Sequence, residues 1–328
     1  MTTYHHSHPH AHWLTRRLLV GLVALGVGIA GAGRAPQAAH AAAVPPPVQI
    51  VPEAAELPRL LPNIATFTAH VVQEGETLAS IAAATGSMPH LIRGYNRLKG
   101  EPAVGRALII PVLEGHSTEV YTPVLVINGV TDAPKVALTL DAGASSAPTP
   151  AILDALRERN IQITFFLTGQ WIRNNPELAR RIVAEGHELA NHSTNHPDFR
   201  TLSDEQIIAE LADMEQALFE ATGASARPYF RPPFGAYDQR VLQVLIGQGY
   251  MPIYWTLDSL DSVGEPKSPQ FLADRMTGHG QYTPEQMYGT IILAHCGSEP
   301  TAQALPTILD RYAAMGIKVT TISDVLGQ

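Results

Sequence analysis

The chain has 328 residues, of which 16% are charged and 45% hydrophobic, and a formal charge of −8 at neutral pH. Such a composition supports packed cores rather than disorder, and at about one domain per 150 residues it predicts two domains with linkers. The acidic balance argues against nucleic acid as a partner, because duplex binding needs Lys and Arg to neutralise phosphates. The single cysteine, Cys296, excludes an internal disulfide framework.

Residues 1–43 read as a secretory signal. Arg16 and Arg17 precede an uncharged apolar run, Leu18 to Ala32, and small residues follow to Ala41-Ala42-Ala43. The alternative is an uncleaved membrane anchor, but a run of 15 residues falls short of the roughly 20 that span a bilayer. Cleavage near Ala43 would remove Arg16, Arg17 and Arg34 and no acid, taking the formal charge from −8 to −11. The expectation is a protein secreted to the cell wall or the extracellular space, with no stable membrane partner unless the signal is retained.

Residues 44–68 are rich in Pro and Ala, with prolines at 45, 46, 47, 52, 58 and 62, and predict a semi-rigid extended spacer. Residues 69–113 then form a unit of their own. A β run at His70-Val71-Val72 is followed by a turn at Glu74-Gly75. A helix begins near Thr77, carries Leu78, Ile81 and Ala82 on one face and stops at Gly86. A second helix covers Pro89 to Asn96, and Ala107 to Pro111 returns as a strand. The order His70-x-Val72-x-x-Gly75-Glu76-Thr77-Leu78-x-x-Ile81-Ala82, then Leu91-x-x-x-Tyr95-Asn96, then Gly105 and Leu108-x-Ile110-Pro111, resembles the LysM domain over its whole length. The resemblance implies binding of N-acetylglucosamine-containing glycans such as peptidoglycan or chitin, through Gly75, Thr77 and Leu108 around the loops that flank the helices. The plainer alternative is a spacer domain without a ligand.

Residues 118–328 alternate β runs with amphipathic helices. Strands are predicted at 136–141, 163–167, 188–191, 229–231, 253–258, 291–295 and 318–322, and helices at 150–160, 176–185, 204–222, 238–248 and 302–315. Ser203-Asp204-Glu205-Gln206 carries the reciprocal pattern of a capping box. Repeated β-α units predict an α/β fold with a parallel sheet, a distorted (β/α)7-type barrel.

The reactive residues sit at strand ends. Asp141 closes the first strand, His192 and His196 follow the third, Arg231 to Gly235 follow the fourth, Asp258 closes the fifth and His295 the sixth. In a β/α barrel all of these face the C-terminal rim, where loops pool side chains into one site. His192 and His196 are four residues apart; on a helical turn both rings would leave one face and close on one cation. A bare pair at this spacing is otherwise two polar surface histidines. Tyr229, Tyr254 and Trp255 read as core or rim packing, or as a platform for a sugar ring.

Taken in order, Leu138-Thr139-Leu140-Asp141, His192-Ser193-x-x-His196, Arg231-Pro232-Pro233-Phe234-Gly235, Asp258-Ser259-Leu260-Asp261 and Leu293-Ala294-His295 resemble the polysaccharide deacetylase (NodB-homology, carbohydrate esterase) family across about residues 120–328. The resemblance implies metal-assisted removal of N-acetyl groups from a polysaccharide. His192 and His196 would hold a divalent metal, usually zinc; Asp141 would be the general base and His295 the general acid. Arg231 would orient Asp141, Asp258 would hold His295, and Pro233 and Phe234 would line the substrate with a backbone N–H as oxyanion donor. The chain departs from the family at Ala142, where a second acid normally supplies a third metal ligand, and at Ser262, where Trp is usual. Asp198 and Asp261 are candidates to replace the missing ligand. Cys296 reads as a small buried residue. The expected partner is a cell-wall or chitin-like glycan and the expected state a monomer. The alternatives are a catalytically silent glycan-binding protein and an O-acetyl esterase.

Overall fold

The structure, a computed structural model, describes residues 63–116 and 123–327. The predicted signal and most of the predicted spacer lie outside the described residues. Among the described residues no helix is long and apolar enough to cross a membrane.

The first elements are strand β1 (Ile64–Val71), helices α1 (Leu78–Thr85) and α2 (Pro89–Tyr95), and strand β2 (Ala107–Leu113), in the predicted β-α-α-β order. β1 and β2 pair antiparallel, with Ala69 opposite Ile109. Thr77 caps α1 in a capping box with Ser80, and Gly86, at φ 65°, ends it in the left-handed conformation that favours glycine. Leu78, Ile81, Ile92, Leu108 and Ile110 form this unit's own small core. The expected spacer ends earlier than 68, because Ile64 to Thr68 already belong to a paired strand. They run from exposed to buried without alternating, so nothing announces a strand beside so many prolines.

The remaining strands are β3 (Lys135–Ala142), β4 (Thr164–Leu167), β5 (Glu188–Asn191), β6 (Tyr229–Phe230), β7 (Met251–Pro252), β8 (Leu257–Asp258), β9 (Ile291–His295) and β10 (Lys318–Thr320). They make one parallel sheet in the order β7-β6-β5-β4-β3-β9-β8, with β10 beside the first half of β3. The helices are α3 (Thr149–Glu158), α4 (Gly169–Asn174), α5 (Pro176–Ala184), α6 (Asp204–Thr222), α7 (Gln239–Gly247), α8 (Pro269–Met276), α9 (Glu299–Ala314) and α10 (Ile322–Val325). The expected α/β class holds, with the sheet curled into an open barrel.

One expected strand is divided. Residues 253–258 do not run as a unit: β7 ends at Pro252 on one edge of the sheet, and β8 starts at Leu257 on the opposite edge beside β9. The segment between them crosses the opening together with residues 126–128, whose Val126 bridges Ile253 and whose Asn128 bridges Thr290. A short apolar run cannot reveal that it changes edges midway.

β3 sets the two sides of the sheet. Val136, Leu138, Leu140 and Ala142 join the outer core under the helices, whereas Ala137 joins the inner core. Thr139 and Asp141, two and four residues on, share the inner side by the two-residue period of a strand. Asp141 is thereby placed at the inner, C-terminal rim.

Candidate active site

Asp141 is buried, and its Oδ1 accepts a hydrogen bond from Arg231 Nη1 at 2.5 Å. Arg231 is fully buried; its Nη2 donates to the Tyr254 carbonyl at 3.3 Å, and its guanidinium lies 3.9 Å from the Phe166 ring centroid. Burial lowers the Arg231 pKa, and the facing Asp141 carboxylate opposes that shift. A buried cation of this kind is tolerable only when it is paired and hydrogen-bonded.

His192 follows β5. Its Nδ1 lies 2.9 Å from the Arg231 carbonyl oxygen, which makes that nitrogen the N–H donor and leaves the lone pair on Nε2. Nε2 lies 3.4 Å from the other Asp141 oxygen. Burial lowers the His192 pKa to about 4, against the pull of Asp141, so the ring is neutral at neutral pH. His196, whose pKa burial also lowers, packs edge-on with its centroid 4.8 Å from that of His192. The two rings do meet, but not on a helical turn. Ser193 and His196 both have positive φ, 67° and 59°, a costly conformation for residues with a Cβ.

That loop is held from outside. The Glu210 carboxylate on α6 accepts from the Thr194 and Asn195 amides at 2.8 Å each and from the Asn195 side chain at 2.7 Å. Asn191 Oδ1 accepts from the Ser193 amide, while its amide nitrogen donates to the Leu211 carbonyl and the Tyr250 hydroxyl. Glu210 lies 14 positions beyond His196 on a separate helix, and no local spacing signals it.

On the strand beside β3, His295 ends β9 in register with Asp141. Its Nδ1 is 2.7 Å from Asp261 Oδ1 and its backbone N–H donates to Asp261 Oδ2 at 2.9 Å. The orienting carboxylate is therefore Asp261 and not Asp258, as the sequence had suggested. Asp258 Oδ1 instead accepts from the Leu260 amide and closes a tight turn with Leu260 at φ 64°; this turn brings Asp261, three residues on, beneath His295. Asp261 also accepts from the Thr301 hydroxyl at 2.6 Å. Burial disfavours the charged form of His295, but the Asp261 hydrogen bond and the Asp141 and Asp261 charges outweigh it and raise the pKa. Burial likewise works against the Asp261 carboxylate, and its bonds to His295 and Thr301 leave its pKa lowered.

Asp141, His192, His196, Trp255, Asp258 and His295 all line one cavity of about 530 Å³. Phe234, 71% exposed and at φ 60°, covers it and meets His196 edge-on at 4.5 Å. Pro233 is buried beneath. Gly235 is needed here: a Cβ would lie 2.6 Å from the Trp255 ring. Tyr254 and Trp255 stack at 3.9 Å, and Tyr229 lies buried in the inner core away from the cavity.

The donor set fits a divalent cation only in part. His192 and His196 offer two imidazoles, yet among the described residues no group of three or more His, Cys, Asp or Glu side chains is placed to hold an ion. Ala142 turns to the outer core with Leu140, and the cavity wall on that side is Gly143 and Ala144. Neither candidate replacement is at hand: Asp198 is tied to Arg200, and Asp261 serves His295. Cys296 is fully buried, and burial raises its thiol pKa well above the usual range. In the small unit, Gly75 is open and Thr77 is spent as a helix cap, while Leu108 is fully buried and cannot touch a glycan.

A profile of the family described as Polysaccharide deacetylase matches residues 128–253. The peptidoglycan-N-acetylmuramic acid deacetylase PdaA of Bacillus subtilis is 31% identical over 60% of this chain and 73% of its own length. The chain belongs to the polysaccharide deacetylase family. The solved structure of PdaA, a family 4 carbohydrate esterase, superposes with a TM-score of 0.57 at 30% identity, covering 62% of this chain and 84% of that one. A family 4 pseudoenzyme from Bacillus anthracis gives the same TM-score, 0.57, at 28% identity, covering 64% of this chain and 73% of that one. A peptidoglycan-N-acetylglucosamine deacetylase of Listeria monocytogenes is 30% identical over 59% of this chain and 39% of its own length.

The pairing of His295 with Asp261 sets a pH signature. The protonated ring is present below its raised pKa and is lost as pH rises through it. In Asp261→Asn the hydrogen bond and charge of Asp261 no longer offset burial, so the alkaline limb of the pH–rate profile should move to lower pH. A limb that stays in place would contradict the assignment.

Proposed function

We propose that this protein hydrolyses N-acetyl groups on a polysaccharide built from N-acetylglucosamine or N-acetylmuramic acid, such as peptidoglycan or a chitin-like polymer, outside the cell. The observation that carries the reading is the pair of dyads brought to one cavity, Asp141 with Arg231 and, in register on the neighbouring strand, His295 with Asp261. An amide hydrolase needs a carboxylate to take a proton from water and an acid to give one to the departing amine.

In the proposed reaction Asp141, paired with and oriented by Arg231, accepts the proton of a water that attacks the acetyl carbonyl carbon. His295, kept protonated by Asp261, donates to the amine nitrogen as the C–N bond breaks, and acetate and the free amino sugar leave. The Phe234 backbone N–H is the candidate donor to the developing oxyanion, since the Gly235 and Ala236 amides close the local turn. A divalent cation such as zinc, which family members generally use, would rest on His192 and His196, where it would polarise the carbonyl and acidify water.

Residues 69–113 would bind the same class of glycan as a LysM domain and raise the local concentration of substrate. The second reading is a silent glycan-binding protein; what favours it is the incomplete ligand set together with the likeness to a pseudoenzyme. The two dyads favour the enzyme, since binding alone requires neither.

Incubation with N-acetylated glycan oligomers and measurement of released acetate separates the readings. Asp141→Asn should lose about 10²- to 10⁴-fold in rate; equally low release by wild type and variant would support the silent protein, and release confined to O-acetylated substrates would support an esterase. Metal analysis of the purified protein should find less zinc in His192→Ala than in wild type. Equal content would remove the two-histidine site.

A further inference from the structure

The small β-α-α-β unit does not stand apart from the barrel. Ala107 and Ile109 on β2 turn away from their own helices and join the inner core formed by Ala137, Phe166, Tyr229, Met251, Ile253 and others, with Phe67, Ala69 and Val71 of β1 packed against it. Alternate residues of β2 thus serve two cores, Leu108 and Ile110 the unit's own and Ala107 and Ile109 the barrel's.

Polar contacts ring this apolar seam. The Tyr95 hydroxyl donates to the Gly249 carbonyl at 2.8 Å and accepts from Arg227 Nη1 at 3.0 Å. Arg97 reaches Glu188 at 3.4 Å and the Ser225 and Arg227 carbonyls. Arg106, only 1% exposed, donates to the Leu326 carbonyl at the end of α10 and to the Asn96 carbonyl of its own unit. Glu188 also accepts from Thr164 and from the Ser323 amide, and Tyr229 pairs with Ser323. An arginine this deeply buried would be costly in a module that swings free and exposes its other contacts to water.

The barrel residues involved, Thr164, Glu188, Tyr229 and Met251, each begin a strand. They therefore lie at the N-terminal end of the sheet, opposite the rim that carries the cavity. Through the same inner core the seam continues to Phe166, on whose face the Arg231 guanidinium rests at 3.9 Å.

We infer that residues 63–116 are the base plate of the catalytic barrel: they complete its inner core from below, hold it through Tyr95, Arg97 and Arg106, and support the floor on which Arg231 sits. Any glycan this unit binds is then held at a fixed attitude, at the opposite end from the cavity. Deacetylating one strand while gripping another follows from that arrangement, whereas reeling in along a flexible tether does not.

Hydrogen exchange on the full chain tests the inference without reference to activity. Tyr95→Phe removes only contacts that cross the seam, and Arg106→Met removes the bond to Leu326. Both should speed exchange of the amides in Tyr229–Arg231 and Met251–Ile253, by several-fold to about tenfold for Tyr95→Phe and by more for Arg106→Met. Calorimetry of the wild type should give one unfolding transition. Faster exchange confined to residues 63–116, or two resolved transitions, would overturn the base plate and leave the hydrolase reading untouched. If Arg106→Met does not fold, Tyr95→Phe alone decides.

Discussion

The buried ion pair of Arg231 and Asp141 is the constraint around which this molecule is arranged. A guanidinium with no exposure is costly unless it is paired and hydrogen-bonded, and the Arg231 Nε is left without a partner among the described residues. Here Asp141 answers one edge, the Tyr254 carbonyl another and the Phe166 ring one face. The Arg231 carbonyl in turn fixes the tautomer of His192. One residue thereby positions a carboxylate, an imidazole and part of the aromatic wall, and Asp261 does the corresponding work for His295 on the neighbouring strand.

The local backbone accepts strain to make this arrangement. Ser193, His196, Phe234 and Leu260 all have positive φ, and all four lie in loops at the C-terminal rim. Such conformations persist only where the surroundings over-determine them. Glu210 does so for the histidine loop, Gly235 against Trp255 for the Phe234 turn, and the Asp258 carboxylate for the turn at Leu260. The loops of the site are tied to the helices and strands behind them.

Much of this was legible in the sequence, and the failures have physical causes. Strand ends carrying Asp141, His192, Arg231 and His295 could be read because period-two alternation and turn residues are local signals. The choice between Asp258 and Asp261 could not, because it turns on one left-handed residue, Leu260. The histidine pair was expected on a helical turn, and its true conformation depends on Glu210, a distant partner. Residues 253–258 looked like one strand because nothing in a short apolar run marks a change of sheet edge. Leu108 was expected at a glycan, yet its neighbours in β2 alternate between two cores, and which core each faces is set by docking. The seam built by Tyr95, Arg97 and Arg106 is tertiary throughout, and no periodicity in the chain encodes it.

The most direct test of this account is acetate release from an N-acetylated glycan oligomer by Arg231→Lys, with folding verified by circular dichroism. Lysine keeps the charge but cannot reach Asp141 and the Tyr254 carbonyl at once. The account predicts a loss of roughly 10²-fold or more in kcat with the fold retained. Wild-type turnover in that variant would contradict it.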